Sequence, residues 1–309
     1  MKSILISGIT GFVGGNLKKY LKSDFKILGV SRASNFENDM LSYQDIQANE
    51  FNRSYAFIHL AGKAHDLKKT SADQEYFEVN TELTKVLFDK FLKSDCEVFI
   101  YMSSVKAAAD KVEGILTEDV VSNPITAYGK SKLAAENYIL SKETSNKRVY
   151  ILRPCMIHGP NNKGNLNLLY NLVSKGIPYP LGSYANERSF VSIDNLCFII
   201  RNLIENDSIA SGIYNIADDE TISTNGIIKL IGEIHNNGKV KILNIPKPLI
   251  KIVAKTGNFL PIYINEERLD KLTENYVVSN KKIKKVLSIS ELPRNLKVGL
   301  KKTIYSFKD

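Results

Sequence analysis

At 309 residues, 43% hydrophobic and 24% charged, the chain has ordinary globular composition and length enough to bury a sizeable core, which excludes a disordered or fibrous protein. No stretch reaches the ~18–20 apolar residues of a membrane span, and the N-terminal K-S-I-L-I-S-G lacks the apolar length of a secretory signal, so a cytoplasmic protein is expected. The net charge of +9 gathers toward the C-terminus, in K-K-I-K-K at 281–285 and at Lys297, Lys301 and Lys302. Without interleaved aromatics these lysines read as a solvated helix face rather than a nucleic-acid site, and their positive field favours a small anionic substrate.

The first half alternates short apolar runs with helical spacing. I-L-I-S (4–7), F-K-I-L-G-V (25–30), Y-A-F-I-H-L (55–60), E-V-F-I-Y-M (97–102) and V-Y-I-L (149–152) read as strands. Helices are predicted over 16–22, through Leu83, Val86, Leu87 and Leu92, and through Leu133, Tyr138 and Ile139. This rhythm predicts an α/β fold with a doubly wound parallel sheet covered on both faces. The three cysteines, Cys96, Cys155 and Cys197, show no metal-ligand spacing and read as buried, reduced thiols.

After about residue 159 the rhythm turns irregular, beginning with the loop-like G-P-N-N-K-G-N. A smaller C-terminal α/β region is expected to pack at one edge of the sheet. S-F-V-S-I-D-N-L (189–196) and S-G-I-Y-N-I-A (211–217) read as returns to the main sheet. The predicted division is therefore 1–158, with returns near 189–217, against 159–188 and 218–309. P-L-I-K-I-V-A-K at 248–255 is interrupted by lysines and reads as a packed amphipathic helix, with peripheral membrane contact as the other reading.

G-I-T-G-F-V-G at 8–14 follows the first strand and precedes a helix. In that context Gly8 permits the tight turn, Gly11 lets backbone approach a pyrophosphate and Gly14 allows close helix–sheet packing. Thr10, Phe12 and Val13 complete the cofactor-binding turn. The second strand ends in G-V-S-R-A-S, with no carboxylate to read the adenosine ribose. Arg32, helped by Ser31 and Ser34, suits a 2′-phosphate, so NADP(H) is the preferred cofactor and NAD(H) the other. Asp45 is placed either at the adenine amino group or as a turn cap. Leu60, Ala61 and Gly62 follow the next strand, where small residues let backbone lie against a cofactor; His65 beyond them is a candidate sugar contact.

M-S-S-V at 102–105 closes a strand at the same end of the sheet, and Ser104 stands 24 residues before Tyr128. In T-A-Y-G-K-S-K, Tyr128 and Lys132 lie one helical turn apart. A phenol of ordinary pKa ~10 needs a nearby cation to ionise, and Lys132 supplies one. So tuned, Tyr128 can give or take a proton at a carbonyl or alcohol while Ser104 holds the same oxygen.

Together G-I-T-G-F-V-G, H-L-A-G, S-S, Y-G-K-S-K, L-R-P-C-M-I-H-G-P and R-S-F-V-S-I-D-N-L resemble the extended short-chain dehydrogenase/reductases, and within them the nucleotide-sugar epimerase/dehydratase family. The resemblance covers nearly the whole chain in order. It implies a Rossmann domain, a C-terminal sugar-nucleotide region, a UDP-sugar substrate and a helix-mediated homodimer. It also implies that Ser104, Tyr128 and Lys132 are catalytic and that Tyr128, Lys132 and Pro154 touch the cofactor. Arg188 matches the family's diphosphate arginine, Asn165 a position near it, and Arg268 a later phosphate-side arginine, each against a structural salt bridge or turn role.

S-S-V-K-A-A, P-I-T-A-Y-G-K-S-K, G-N-L-N-L-L and P-L-G-S-Y-A-N-E-R-S-F are similar to bacterial reductases of UDP-4-keto-6-deoxy-N-acetylhexosamines, which serve surface polysaccharide synthesis. That resemblance makes an NADPH-dependent C4-keto reductase the first expectation. A UDP-N-acetylhexosamine 4-epimerase with bound NAD is the second, and a non-catalytic cofactor sensor the third. A dehydratase is disfavoured because Val105 and Lys106, not a carboxylate, follow the serine.

Overall fold

A computed structural model of the chain describes residues 1–308 apart from 33–39, 44–45, 47, 64–71, 145, 163, 236–237 and 257–264, and leaves out the side chains at 48, 165, 267 and 268. In chain order the strands are β1 (Ser3–Ser7), β2 (Lys26–Ser31), β3 (Met40–Ser42), β4 (Ala56–His59), β5 (Val98–Met102), β6 (Ile115–Leu116), β7 (Arg148–Pro154), β8 (Met156–His158), β9 (Arg188–Ser192), β10 (Gly212–Ile216), β11 (Thr221–Ile222) and β12 (Val277–Val278). The helices of the first half are α1 (Phe12–Leu21), α2 (Ala48–Asn52), α3 (Asp73–Phe77), α4 (Leu83–Leu92) and α5 (Ala127–Leu140). A π-turn, Glu78–Glu82, joins α3 to α4. The second half adds α6 (Asn165–Ser174), α7 (Ile193–Glu205), α8 (Thr224–His235), α9 (Lys247–Thr256), α10 (Glu266–Thr273), α11 (Lys281–Leu287) and α12 (Leu296–Tyr305).

Among the described residues a seven-stranded sheet runs β10-β7-β5-β4-β1-β2-β3, and every pair in it is parallel. Alternate residues of its strands feed two cores, as the strand period requires. Ile4, Ile6, Ile58 and Ile100 pack on one face with Leu17 and Leu21 of α1 and with Leu196, Ile199 and Ile200 of α7. Leu5, Phe57, Phe99 and Tyr101 pack on the other with Phe88 and Phe91 of α4 and Ile139 of α5. The strand order reverses at β1 and β4, so the loops after these two strands diverge and open a crevice at the carboxyl ends.

The sequence reading differs from the structure in two places here. The 211–217 run supplies β10 at the edge of the main sheet, but the 189–196 run does not join that sheet. Its strand, β9, pairs parallel with β8 and antiparallel with β11 in a separate three-stranded sheet. Backbone leaving β7 turns away at Cys155, whose amide bonds Ile216, so β10 fills the edge place beside β7. The first helix also begins four residues before the predicted 16, at Phe12, because Gly14 and Gly15 are part of it. Glycines usually argue against helix, and here packing overrides that preference.

A third core gathers Leu166, Leu169 and Tyr170 of α6, Phe190 of β9, Ile227, Ile228 and Ile231 of α8, and Leu296, Leu300 and Ile304 of α12. All three cysteines are free and buried, and burial pushes the Cys96 and Cys197 thiols up to about 12, so they are inert packing groups. K-K-I-K-K becomes α11, with Ile283 buried and Lys281, Lys282 and Lys285 exposed. No helix among the described residues is long and apolar enough to cross a membrane.

Candidate active site

The turn after β1 is built by its glycines. Gly8 sits at φ +70, and a side chain there would meet the Ala61 amide nitrogen at 2.8 Å, so a left-handed turn and a close approach both require glycine. A Cβ at Gly14 would collide with the Gly8 carbonyl and lie 2.5 Å from the Ile9 Cα. Gly11 is different: a Cβ there would meet only the Gly8 carbonyl oxygen, at 3.2 Å. Packing therefore does not demand glycine at 11, and the space it leaves lies at the N-terminus of α1, which carries no side-chain cap. Uncapped amides beside an unfilled cradle fit a dinucleotide diphosphate. Thr10 is exposed on this turn, whereas the Phe12 and Val13 side chains pack against the core and offer the cradle only backbone.

Around this turn, Ser31 is buried at the end of β2 and Arg32 is exposed immediately beyond it. Ser34, Asp45 and His65 lie outside the described residues. Leu60, Ala61 and Gly62 line the loop after β4, and Ala61 donates its amide to the Ser7 hydroxyl at 3.2 Å. Ser7 in turn meets His59 Nδ1 at 2.6 Å, and His59 Nε2 meets Thr84 Oγ1 at 2.9 Å. Thr84 gives its own proton to the Asn80 carbonyl at 2.7 Å, so it accepts from His59 and places the ring proton on Nε2.

Burial, with the Lys132 charge adding to it, pushes the His59 imidazole down to about 3. An unfolded histidine titrates near 6.5. Between those two values the unfolded chain takes up a proton that the folded chain refuses, so stability falls as pH falls from 6.5 toward 3. In urea denaturation, wild type is expected to lose about 1.4 kcal/mol more per pH unit across that window than His59→Gln. Equal slopes would mean that His59 protonates without cost.

At the neighbouring strand end, Ser104 caps a short 3-10 turn over Val105–Ala107, its hydroxyl accepting from the Lys106 amide at 3.2 Å. The first turn of α5 comes to lie against this turn. Thr126 caps α5 by accepting from the Gly129 amide at 3.2 Å. Asp110 holds the same corner by accepting from the amides of Ile125 (2.6 Å) and Thr126 (3.1 Å). A side chain at Gly129 would collide with the Lys106 carbonyl, so the glycine between Tyr128 and Lys130 lets α5 approach. The result is a hydrogen bond between Tyr128 and Ser104.

Lys132, one turn along, is buried and donates to the Met102 carbonyl at 2.8 Å. A Cβ at Gly62 would lie 3.0 Å from its Nζ, which places the ammonium between the loop after β4 and the end of β5. Burial, opposed by Glu136, brings Lys132 down to about 8. The structure corrects one expectation here. The Tyr128 phenol is raised, not lowered, because burial outweighs the Ser104 hydrogen bond, while Tyr76, ring edge to face at 6.2 Å, adds to the rise. Lys132, turned to the Met102 carbonyl, is not among the groups that shift the phenol.

Four further groups hold this arrangement. Asn80, in the π-turn, accepts from the Lys63 amide at 2.7 Å and donates to Ser131 at 3.0 Å, tying the loop after β4 to α5. Buried Glu136 accepts the single Nε–H of buried Arg153 between its two carboxylate oxygens, at 3.0 and 3.1 Å, and accepts from Ser103, joining α5, β7 and the end of β5. Tyr276 donates to the Ala109 carbonyl at 2.6 Å, linking the C-terminal region to the 3-10 turn. Lys106 donates to the Asp110 carbonyl at 2.7 Å and stands 4.3 Å from the centre of the Tyr276 ring. Only Arg153 and Lys106 fall inside motifs that the sequence singles out; Asn80 and Glu136 read as ordinary helix polar residues.

Pro154 ends β7, buried, in register with Ile216. Arg188 opens β9, half-buried, bonded to the Lys271 carbonyl and close enough to Lys106 for their charges to interact. Burial draws its guanidinium below the ordinary arginine value. Asn165 opens α6 and Arg268 lies within α10, and both side chains are outside the described set.

Comparison with known proteins gives a consistent picture. The family model described as "NAD dependent epimerase/dehydratase family" matches residues 4–217. The chain is 33% identical over 325 residues to UDP-glucose 4-epimerase of Vibrio cholerae, covering 99% of this chain and 95% of that relative. Among solved structures, UDP-N-acetylglucosamine 4-epimerase from Bacillus cereus superposes with a TM-score of 0.79 at 19% identity, covering all of both chains. UDP-glucuronic acid 4-epimerase from Bacillus cereus, in complex with UDP-glucuronic acid and NAD, gives 0.78 at 18% identity, covering 100% of this chain and 99% of that one.

Proposed function

Because this chain belongs to the NAD dependent epimerase/dehydratase family, we propose that it inverts the C4 configuration of a UDP-linked hexose or N-acetylhexosamine with NAD as its bound cofactor. The observation that carries this reading is the near full-length similarity to a 4-epimerase, coupled to a hydrogen-bonded Ser104–Tyr128 pair beside a buried lysine. The C4-keto reductase expected first from the sequence gives way to it. V-K-A-A after the serines had favoured the reductase, yet Lys106 is engaged with the Asp110 carbonyl and the Tyr276 ring, a use that does not separate the two reactions.

NAD held over the glycine turn after β1 would supply a hydride acceptor and donor within one cycle, so no outside reductant would be consumed. Tyr128 would take the C4 hydroxyl proton as the hydride leaves and give it back after the 4-keto sugar has turned its opposite face to the returning hydride, which both balances the cycle and inverts C4. Ser104 holds the same oxygen through both halves. Lys132, one helical turn from Tyr128, is assigned to holding the cofactor beside the Tyr128 hydroxyl, and it keeps its charge below pH about 8. Arg188 is assigned to the diphosphate, with 159–188 and 218–309 as the sugar-nucleotide region and 1–158 as the cofactor region. NAD rather than NADP is supported by the family description and by the Bacillus cereus neighbour solved in complex with NAD.

The test is to release the nucleotide from purified protein by acid and identify it by mass, then to incubate fresh protein with UDP-glucose or UDP-N-acetylglucosamine and no added reductant. Released NAD and formation of the galacto epimer are expected. Consumption of NADPH on a UDP-4-keto-6-deoxy sugar, without C4 interconversion of either substrate, would overturn the reading in favour of the reductase.

A further inference from the structure

The helix α9 packs only one of its two apolar sides. Ile250 and Ala254 are buried in the third core, as an amphipathic helix requires. Leu249, Ile252 and Val253 are apolar too, yet they are 54%, 60% and 46% exposed. At 100° per residue these three fall within one third of the circumference, so they form a single outward strip. Lys255, exposed, borders it on one side, about 60° round the helix from Ile252, and Lys251, also exposed, lies a further ~40° round on that same side. Lys247 at the head of the helix stands 5.3 Å from the Tyr184 ring centre. The helix contains no acidic residue, and from 234 to 265 the chain has five lysines and no aspartate or glutamate.

We propose that α9 docks this protein reversibly on an anionic lipid bilayer, with Leu249, Ile252 and Val253 entering the headgroup region and Lys251 and Lys255 meeting lipid phosphates. An apolar strip beside lysines, on a helix too short to span, is the pattern of a helix that lies in the interface plane. The all-positive stretch around it matches the negative surface potential of such membranes. A second copy of this chain is a poor occupant. A two-fold contact through this strip would bring the lysines of both copies together, and three side chains fall far short of the ~800 Å² per partner of a stable interface. The docking is independent of the epimerase reading.

The full chain would be sedimented with phosphatidylcholine vesicles and with vesicles also containing phosphatidylglycerol, at low and physiological salt. Binding to the anionic vesicles only, weakened by salt, is expected. Leu249→Ser with Ile252→Ser and Val253→Ser should lower partitioning at least ~10-fold. Lys251→Gln with Lys255→Gln should lower it about thirty-fold. All five positions are exposed, so melting curves are expected to stay unchanged, and Val86→Ser, at an exposed apolar position on α4, serves as a control that leaves binding intact. Absence of binding to anionic vesicles, equal binding by the α9 variants, or a loss of self-association in those variants without any vesicle binding would each overturn the proposal.

Discussion

Tyr128→Phe is expected to lower kcat for C4 interconversion by at least ~10³-fold while the protein keeps its fold and its cofactor. The hydroxyl is the only polar atom of that side chain, and on the proposed cycle it carries the proton in both directions; general acid–base groups contribute roughly 10²–10⁴-fold. Tyr128 is half-buried with its ring packed edge to face against Tyr76, and Phe retains that packing. The substitution therefore removes chemistry and little else. Ser104→Ala should cost less, about 10²-fold, because it removes one hydrogen bond to the reacting oxygen and leaves the proton carrier. The measurement is conversion of the UDP-sugar by chromatography, alongside a melting curve and the bound-nucleotide content. A Tyr128→Phe protein within ten-fold of wild type would remove Tyr128 from the proton path.

Glu136→Leu is expected to destabilise the fold by about 3–5 kcal/mol, the cost of leaving a buried charge without its partner. Arg153 is 2% exposed and Glu136 fully buried, and the carboxylate answers both the guanidinium and the Ser103 hydroxyl. Arg153 also donates to Ser122 at 3.1 Å, a bond too weak to replace the lost carboxylate. Removing both charges in Glu136→Leu/Arg153→Met should recover much of the loss, since well-packed apolar replacements of a buried pair are often close to neutral. Urea denaturation of the two single variants and the double variant closes the cycle. A single variant within 1 kcal/mol of wild type would show that the pair is hydrated rather than buried.

Much of this architecture is readable before folding, and the reason lies in what local patterns encode. The five apolar runs become strands because four to six apolar residues between breakers suit a strand buried on both faces. The glycine turn is legible because φ at Gly8 and the approach to Ala61 can be met by glycine alone. Ser104, Tyr128 and Lys132 are nameable from a strand end and a helical turn. The same patterns mislead where burial reverses the usual meaning of a residue. Lys132 and Glu136 are four apart on α5 and would ordinarily be a solvated pair, yet both are buried.

What the sequence by itself determined, then, is the parallel sheet, the glycine turn after β1 and Ser104, Tyr128 and Lys132 as candidate reacting residues, because each is signalled by a local pattern. Only the tertiary structure decided that Tyr128 is raised rather than lowered, that β9 leaves the main sheet, that Asn80, Glu136 and Tyr276 brace the site, and that one apolar side of α9 faces outward. Each of those depends on partners 17 to 171 residues apart or on which side of a helix the core reaches. Periodicity reports that a face is apolar; packing decides what, if anything, covers it.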